Sequence, residues 1–584
     1  MGTISDKLMR IINTKEDIRQ ALISKGYDVP TSIPFKEYAK MILDLPCKVD
    51  SFPDIEGIVA RYSASGLTNE QMAANPVWVD KTGNGHDLQM KNFAWGGMSG
   101  VGGYEMNFNL WTNNVPSIPD ISMSTTTTSV SVSVGNSTYN NNLIYIHMNN
   151  WDINKNHWLK VTSTYEDGDL AFIFYNDSNT KKIGLPANGY VNILAYPEFK
   201  GSYMYISTIS NKQGSFTIEQ LPLYPGALVF DGVDDYGVCE NFPILTKEKG
   251  YTVVVLRQWD QDFLNTTLTG GLLSTRNYST EEGVAFEKIE SSNKGYWNLG
   301  AGGIIDFAKS PFTWQTSKQY NNVGILKGDK NHGKPLCVGC GLSGGQQCGR
   351  FAIWELVFLD HDATEEELTK IKDYFVKTYP WLFPDKAWTV TGKTNEDEDR
   401  ATIANITGNG NDLVLSNFGF AEGSGYNEEG EYAGYLVTDG VDDKIISSIF
   451  KMGNDWTVIG DWELINTGKN DNAGIVKFDS IVIYNYNYNY NSMLINIKNG
   501  RNILIPDQNT VNAICSDGRI YSKDWKESIY NEETESTSKN FLTIGYSGNA
   551  YTKIAFKNLA IYPTVLSRED CIKAYNYLQT LKAK

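Results

Sequence analysis

Two stretches of this 584-residue chain carry nearly the same sequence: Thr82–Phe93 reads TGNGHDLQMKNF, and Thr407–Phe418 reads TGNGNDLVLSNF, at an offset of 325 residues (407 − 82). Each follows a Gly-x-Thr-Asn-Glu run, Gly66–Glu70 and Gly392–Glu396. Asn-Gly pairs of this kind form the tight turns of β-hairpins. Because solenoid repeats have periods of only ~20–50 residues, an offset this long predicts two whole domains in tandem.

The offset between the two copies changes once along the chain. The word DGVDD occupies Asp231–Asp235 and Asp439–Asp443, where the offset is 208 (439 − 231). A softer match, Leu336–Cys340 with Leu542–Tyr546, has an offset of 206 (542 − 336). The first copy therefore holds 117 additional residues (325 − 208), and the end of the local similarity places this insert at 106–222.

Each copy is predicted to be all-β with one closing helix. Alternating segments such as Tyr251–Leu256 predict strands. The tails Phe351–Thr364 and Ile554–Ser567 match at an offset of 203 (554 − 351), and acidic residues follow each tail. A hydroxyl residue before acids is a typical helix N-terminus, so we expect a helix after Thr364 and after Ser567.

The insert has strand-like sequence of its own. Thr125–Val134 alternates at its end, His157–Ser163 and Leu170–Tyr175 are predicted strands, and Asp167-Gly168 is a predicted hairpin turn. We interpret the insert as a small β-sandwich. The predicted domains are a helical arm at 1–50, a first copy at 51–385 interrupted by the insert at 106–222, and a second copy at 386–584.

The N-terminal arm has the apolar spacing of short helices. Ile4, Leu8 and Ile11 form one stripe, and Ile18 and Leu22 lie on a second. Helices this short are marginally stable alone, so their apolar faces need a partner. Two interpretations stay open: a helical cap on this chain, or an arm for docking and oligomerisation.

Composition argues against several classes of function. The formal net charge is −17, and the sequence has no Lys/Arg-dense run, which argues against nucleic-acid binding. No apolar stretch approaches the ~20 residues that span a bilayer, and the polar N-terminus does not resemble a secretory signal. Seven scattered cysteines argue against a disulfide framework, so reduced thiols are expected.

The acids of the two DGVDD words are candidate metal ligands. Ca²⁺ takes 6–8 oxygen ligands, whereas a tight turn uses Asp side chains to accept hydrogen bonds from nearby amides. The turn is the favoured interpretation, and no cofactor is expected. The acids concerned are Asp231, Asp234, Asp235, Asp439, Asp442 and Asp443.

A row of tyrosines alternates with asparagine in the second copy. On a strand, residues two apart project from one face, so the rings are candidates for stacking on sugars or for contacting a neighbouring chain. A half-buried hairpin or a polar loop is the favoured alternative. The residues are Tyr484, Tyr486, Tyr488 and Tyr490.

Cysteine and histidine offer little chemistry. Cys337-x-x-Cys340, with His332 and Cys348 nearby, has the ligand types of a zinc site. The second copy has Thr and Tyr at the two matching positions, which favours ordinary strand residues on alternate faces. His86 matches an asparagine, and no P-loop, G-x-S-x-G or H-E-x-x-H motif occurs. We therefore expect no enzymatic activity, with a pair of carboxylates ~5–10 Å apart, as in glycosidases, as the alternative.

These words resemble known families. The TGNG-x-DL start, the DGVDD turn and the final strand before a helix resemble the concanavalin A-like, laminin G-type jelly roll. The shared words, FTIEQLPLYPGA at Phe216–Ala227 and the arm at Ile4–Gly26 resemble virion-associated proteins of tailed phages, especially those infecting gut Bacteroidales. The resemblance implies a mainly β fold with two jelly-roll sandwiches, one carrying the inserted small sandwich, after a short helical arm.

The resemblance also implies a function. It implies a head- or tail-fibre type component, often oligomeric, that docks on other virion proteins by its arm and binds glycans or proteins with its sandwiches. The expected location is the virion, assembled in the host cytoplasm, and the expected external partner is a host surface glycan. The alternative is a polysaccharide depolymerase on a tail spike.

Overall fold

The computed structural model divides the chain into two compact units, Met1–Asp54 and Ile55–Lys584. In the first unit it describes 52–54 and Lys15, which is helical. The arm prediction, with Ile4, Leu8, Ile11, Ile18 and Leu22, lies outside the described residues. In the second unit the longer described ranges are 55–104, 121–135, 157–175, 180–193, 213–245, 251–264, 266–275, 335–342, 346–421, 423–430, 432–465, 511–522 and 550–583, with short strands between them.

The second unit is mainly β, which confirms the predicted fold class. Before the insert the strands are β1 (Ile58–Ser63), β2 (Val77–Trp78), β3 (Leu88–Lys91) and β4 (Gly100–Val101). The insert contains β5 (Thr112–Asn113), β6 (Ile121–Thr125), β7 (Ser129–Val134), β8 (Ile146–Met148), β9 (His157–Ser163), β10 (Leu170–Tyr175), β11 (Thr180–Leu185), β12 (Asn188–Ile193), β13 (Tyr203–Thr208) and β14 (Gly214–Gln220).

The rest of the first copy adds β15 (Leu228–Asp231), β16 (Tyr236–Cys239), β17 (Thr252–Trp259), β18 (Gly270–Ser274), β19 (Ala285–Lys288), β20 (Lys294–Trp297), β21 (Ile304–Asp306), β22 (Gln315–Ser317), β23 (Leu336–Val338), β24 (Cys340–Leu342), β25 (Gln346–Cys348) and β26 (Arg350–Leu359). Its helices are α1 (Asn69–Ala74), α2 (Gln261–Leu264) and α3 (Glu365–Thr378), and a 3-10 turn follows at Pro380–Leu382.

The second copy contains β27 (Lys386–Thr389), β28 (Thr402–Ile403), β29 (Leu413–Ser416), β30 (Gly425–Asn427), β31 (Tyr435–Val437), β32 (Lys444–Ser447), β33 (Thr457–Leu464), β34 (Gly474–Phe478), β35 (Ile481–Tyr486), β36 (Ser492–Ile497), β37 (Arg501–Ile505), β38 (Val511–Cys515), β39 (Arg519–Ser522), β40 (Glu527–Ile529), β41 (Leu542–Ile544), β42 (Tyr546–Ser547), β43 (Ala550–Tyr551) and β44 (Ile554–Tyr562). It closes on α4 (Arg568–Leu578).

Each copy is a pair of sheets with a hydrophobic core between them. In the first copy one sheet has the order β22-β17-β26-β15-β4, with β1 also on β26, and the other follows β2-β3-β16-β23-β18-β19-β20-β21. In the second copy the orders are β30-β31-β44-β33-β38-β39-β40, with β27 on β44, and β28-β29-β32-β41-β34-β35-β36-β37. Buried residues from both sheets of each pair form one cluster, which is the packing of a β-sandwich.

The insert forms a third sandwich, from the sheets β11-β10-β13-β8-β5 and β12-β9-β14-β7-β6. Its strands β9 and β10 coincide with the predicted His157–Ser163 and Leu170–Tyr175. The alternation at the end of Thr125–Val134 corresponds to β7, which begins at Ser129, whereas β6 ends at Thr125. The Thr126 hydroxyl accepts the backbone N–H of Ser129 at 2.9 Å, so the threonine run makes a turn, as threonine side chains often do.

The two predicted closing helices are present and capped as expected. The Thr364 hydroxyl accepts the backbone N–H of Glu367, and the Glu367 carboxylate accepts the backbone N–H of Thr364, which is a capping box. Ser567 caps α4 by accepting the backbone N–H of Asp570. Among the described residues no helix is long and apolar enough to cross a bilayer.

The last helix joins the three sandwiches into one unit. Tyr575 on α4 packs edge-to-face against Trp158 of the insert and against Trp525, with ring centroids 5.4 and 5.7 Å apart. Just after α4, the Thr580 hydroxyl accepts a hydrogen bond from Gln258 on β17 of the first copy at 2.9 Å. Paired aromatic rings add ~0.5–1.5 kcal/mol beyond the area that they bury, so these contacts oppose relative motion of the sandwiches.

A buried ion pair ties β1 to β26 in the first copy. Arg61 donates to Glu355 at 3.2 and 3.3 Å, and the Tyr379 hydroxyl donates to Glu355 at 2.8 Å. Burial raises the pKa of Glu355, and the nearby Arg61 charge opposes that rise. The second copy has Asn558 at this position of its strand, and among the described residues neither polar side-chain atom of Asn558 has a hydrogen-bond partner.

We expect Glu355→Ala to lower the free energy of unfolding of the first copy by ~3–5 kcal/mol, because the Arg61 charge stays buried without its partner. Asn558→Ala at the matching position is the control and should cost less, since it breaks no described hydrogen bond. Denaturant-induced unfolding followed by tryptophan fluorescence measures both. Equal losses in the two variants would contradict a stabilising role for the ion pair.

Candidate functional site

The two DGVDD words form the same hydrogen-bonded turn. In the first copy the backbone N–H of Asp231 donates to Asp235 at 3.0 Å, and the backbone N–H of Val233 donates to Asp231 at 2.7 Å. In the second copy the matching distances, for Asp439 to Asp443 and Val441 to Asp439, are both 2.7 Å. The Asp side chains thus satisfy local amides, as the turn interpretation predicts.

Each turn is also held by residues from the neighbouring loop. The Ser99 hydroxyl donates to the buried Asp235 carboxylate at 2.9 Å, and the Asn92 amide donates to the Asp234 carbonyl at 3.0 Å. In the second copy Asn417 makes the matching bond to Asp442, also at 3.0 Å. These bonds join the end of the TGNG word to the DGVDD word, which explains why the two words occur together.

Burial perturbs one carboxyl in each turn. The pKa of Asp235 is raised to about 7, first by burial and then by the charge of Asp231, while its hydrogen bonds oppose the rise. The pKa of Asp443 is raised to about 6, again mainly by burial.

In each copy, oxygen atoms of the three acids lie within 4.8 Å of one another, as ligands of a cation would. Ca²⁺ needs 6–8 oxygens, and each turn supplies three carboxylates, of which two, Asp231 and Asp235 or Asp439 and Asp443, already accept local hydrogen bonds. The hydrogen bonds are sufficient to explain the turn without an ion.

The raised pKa of Asp235 predicts a pH-dependent stability. The usual Asp pKa is ~3.9, so between pH ~4 and 7 the folded state holds more protons than the unfolded chain, and the free energy of unfolding falls as the pH rises. We expect Asp235→Asn, a neutral isostere, to unfold a few degrees higher than the natural protein at pH 8 and at a similar temperature at pH 5. Calorimetry at both values tests this; a pH-independent difference would contradict it.

The turn interpretation predicts that Ca²⁺ has little effect on stability. Millimolar Ca²⁺ and a chelator should give the same unfolding temperature, because the ion would have to displace hydrogen bonds already made. Asp234→Ala and Asp442→Ala serve as matched variants in the two copies. A Ca²⁺-dependent rise in the unfolding temperature that either variant removes would show a metal site instead.

A cavity of about 360 Å³ opens at the rim of the first copy. It lies between the start of β1, the TGNG loop, the segment after β16 and the end of β26. Its lining residues are Gly57, Ile58, Val59, Asn84, His86, Pro243, Ile244, Leu245 and Asp360.

His86 is positioned in this wall by its backbone. Its carbonyl accepts the Tyr62 hydroxyl at 2.5 Å, and its N–H donates to Asp80 at 3.3 Å. The ring packs edge-on against Phe242, with centroids 5.9 Å apart. Its Nδ1 atom is buried and has no hydrogen-bond partner among the described residues.

Two further polar side chains line the cavity. The Asn84 amide nitrogen donates to the carbonyls of Ile58 and Val59, at 3.4 and 2.9 Å. The Asp360 side chain is 50% exposed, and its Oδ1 lies 3.3 Å from His361 Nδ1. Gly57 has a φ of +79°, and a Cβ there would collide with the Asp360 carboxylate. Glycine is therefore required at the cavity floor.

The second copy is built differently at this place. Its residue matching His86 is Asn411, whose amide donates to the Ser448 hydroxyl at 2.7 Å and to the Ile449 carbonyl at 3.2 Å. Pro563 stands where the first copy has Asp360. The match between the two copies predicts that position 86 is variable, and the two rims differ at this residue. Sequence reasoning missed Asp360, although the substitution to Pro563 within the matched tails was a signal.

The other predicted site residues are placed only in part. Tyr484 and Tyr486 belong to strand β35, whose side chains are outside the described part, and Tyr488 and Tyr490 are also outside it. The tyrosine row therefore stays a prediction.

The cysteine cluster differs from the expectation. Cys337, Cys340 and Cys348 pack together in one buried cluster, and do not lie on alternate faces of one strand. Gly339, with a φ of +103°, separates β23 from β24 and breaks the alternation. Among the described residues the metal-ligand geometry occurs at the two aspartate groups and not at these thiols; His332 is outside the described part. The described cysteines form no disulfide.

Comparisons with known proteins add little. No protein-family model matches the chain, and no curated protein matches it. Among solved structures, the botulinum neurotoxin serotype D binding domain aligns at 13% identity and a TM-score of 0.24, covering 60% of this chain and 89% of its own. A Trypanosoma rangeli sialidase in complex with sialic acid aligns at 8% identity and a TM-score of 0.24, covering 82% and 97%. TM-scores this low carry no weight for fold or function.

Proposed function

We propose that this protein is a non-enzymatic structural and adhesive component of a phage virion, of the fibre or decoration type. It docks by its N-terminal arm on other virion proteins and displays its sandwiches for binding a host surface glycan or a protein. The observation that carries the proposal is the joining of three β-sandwiches into one compact unit, Ile55–Lys584.

A unit in which the sandwiches are joined suits the display of a binding surface better than it suits catalysis. The contacts of Tyr575 with Trp158 and Trp525 connect the second copy to the insert, and Gln258 connects it to the first copy. An adhesin gains from such rigidity, because a binding surface that is already ordered loses less conformational entropy on contact.

The rim cavity also favours binding over hydrolysis. Among the described residues that line it, Asp360 carries the one carboxylate. Glycoside hydrolysis ordinarily needs two carboxyl groups ~5–10 Å apart across the scissile bond. The Asp360 carboxylate instead lies 3.3 Å from Nδ1 of His361, and Nε2 of that imidazole lies 3.3 Å from the Glu367 carboxylate.

The virion assignment is supported by the sequence resemblance of the shared words and of the arm at Ile4–Gly26. The apolar stripes of that arm need a partner, and a second copy of the chain or another virion protein would supply one. The net charge of −17 is consistent with protein and glycan partners and disfavours nucleic acid.

A particle-incorporation experiment tests the proposal. We expect phage carrying Ile11→Asp and Ile18→Asp to lack this protein, because a charge on each apolar stripe weakens docking. Val441→Asp, at a residue 66% exposed on the second turn, is the matched control and should incorporate normally. Mass spectrometry of purified particles gives the readout. Normal incorporation of the arm variant would overturn docking by the arm.

Adhesion is measured separately with the purified full-length chain. We expect it to bind host cells, to lose that binding after periodate oxidation of their surface glycans, and to release no shortened saccharides. Release of shortened products would establish a depolymerase instead, and binding that survives periodate would point to a protein receptor.

A further inference from the structure

We infer that the cavity beside His86 is a binding site for one uncharged saccharide ring of a glycan. The inference rests on the proposed adhesive function and names the place and the ligand class. The volume of about 360 Å³ falls within the ~300–1,000 Å³ typical of small-molecule sites, which is far more than an ordered water needs.

The cavity has the two kinds of wall that a sugar ring requires. Ile58, Pro243, Ile244 and Leu245 offer an apolar surface for the C–H face of a ring. Ile244 is 42% exposed in the free protein, so a ligand would cover apolar surface now in contact with water. The second wall supplies hydrogen-bond partners for the hydroxyl groups of the sugar, from Asn84, His86 and Asp360.

The fold leaves these polar groups with unused capacity. The Asn84 amide nitrogen donates hydrogen bonds to two backbone carbonyls, and its side-chain oxygen accepts no hydrogen bond from a described residue. His86 Nδ1 has no hydrogen-bond partner among the described residues, although the ring is held in place by Phe242. A hydroxyl both donates and accepts, so neighbouring sugar hydroxyls can satisfy an amide oxygen, an imidazole nitrogen and the Asp360 carboxylate together.

Charge decides which sugars fit. The Asp360 carboxylate is the charged group of the described lining, and the chain as a whole carries −17. A uronic or sialic acid would bring a second anion close to Asp360, and like charges at short range repel. The site therefore selects neutral rings over acidic ones.

The second copy provides an internal contrast. Asn411 turns its amide onto the 448–449 loop, where the first copy leaves the His86 ring free of such bonds. Pro563 removes the carboxylate, and Lys451 and Met452 replace Pro243 and Ile244. Asn84 keeps a counterpart in Asn409, but His86 and Asp360 occur in the first copy alone, and we expect one site per chain.

Saturation-transfer NMR on the full-length protein tests the inference. The probes are a panel of neutral methyl hexopyranosides and methyl glucuronide. We expect transfer to at least one neutral glycoside and none to the glucuronide. His86→Asn, which installs the residue of the second copy, and Asp360→Ala should each weaken binding at least tenfold. Asn411→Ala, the matched change in the second copy, should leave affinity unchanged.

A cavity-filling variant guards against misfolding. Ile244→Trp changes a partly exposed side chain and should abolish transfer while the unfolding temperature stays the same. If the protein binds cells or neutral glycosides and all three cavity variants bind as well as the natural protein, the site is wrong and the adhesive function stands. If neither cells nor glycosides are bound, both are wrong. Equal binding of the glucuronide would overturn the charge selection.

Discussion

Both copies depend on a buried side-chain oxygen that accepts backbone N–H groups at the start of the TGNG loop. Asp80 accepts the N–H of Arg61 at 3.0 Å, and Asn405 accepts the N–H of Ala387 at 3.0 Å. A buried backbone donor without a partner costs ~1–3 kcal/mol, and the first strand of each copy would otherwise leave one such donor within the strand. The carboxylate of Asp80 and the carboxamide of Asn405 fill the same role, because the backbone N–H needs only an acceptor oxygen.

The hydrogen bonds to the backbone of this loop correspond in the two copies, whereas the side chains at the rim differ. In each copy a ring also closes the loop: the Tyr62 hydroxyl donates to the carbonyl of His86, and the Trp388 indole donates to that of Asn411. Since the bonds are made to backbone, the side chain at the 86/411 position is free to change. An imidazole at the edge of a cavity in one copy and an amide bonded to the next loop in the other are two uses of the same support.

The fold was largely predictable, and the candidate site was not. Strand limits such as those of β9 and β10 and the caps at Thr364 and Ser567 follow from alternation and local capping, which act over a few residues. The strand β7 begins where the Ser-Val alternation begins, and the threonines before it form a turn because the Thr126 hydroxyl accepts the backbone N–H of Ser129. Cavity walls are different, since Asn84 and Asp360 meet only after distant strands pair.

The sequence by itself determined the repeat, the existence of the insert and the turns, because each rests on neighbours along the chain or on offsets between identical words. Tertiary structure alone decided that Cys337, Cys340 and Cys348 share one buried cluster and that Tyr575 packs on Trp158. It also decided that a cavity opens at the rim of the first copy. These outcomes depend on side chains brought together by sheet pairing and helix docking, and no local pattern encodes the distance between them.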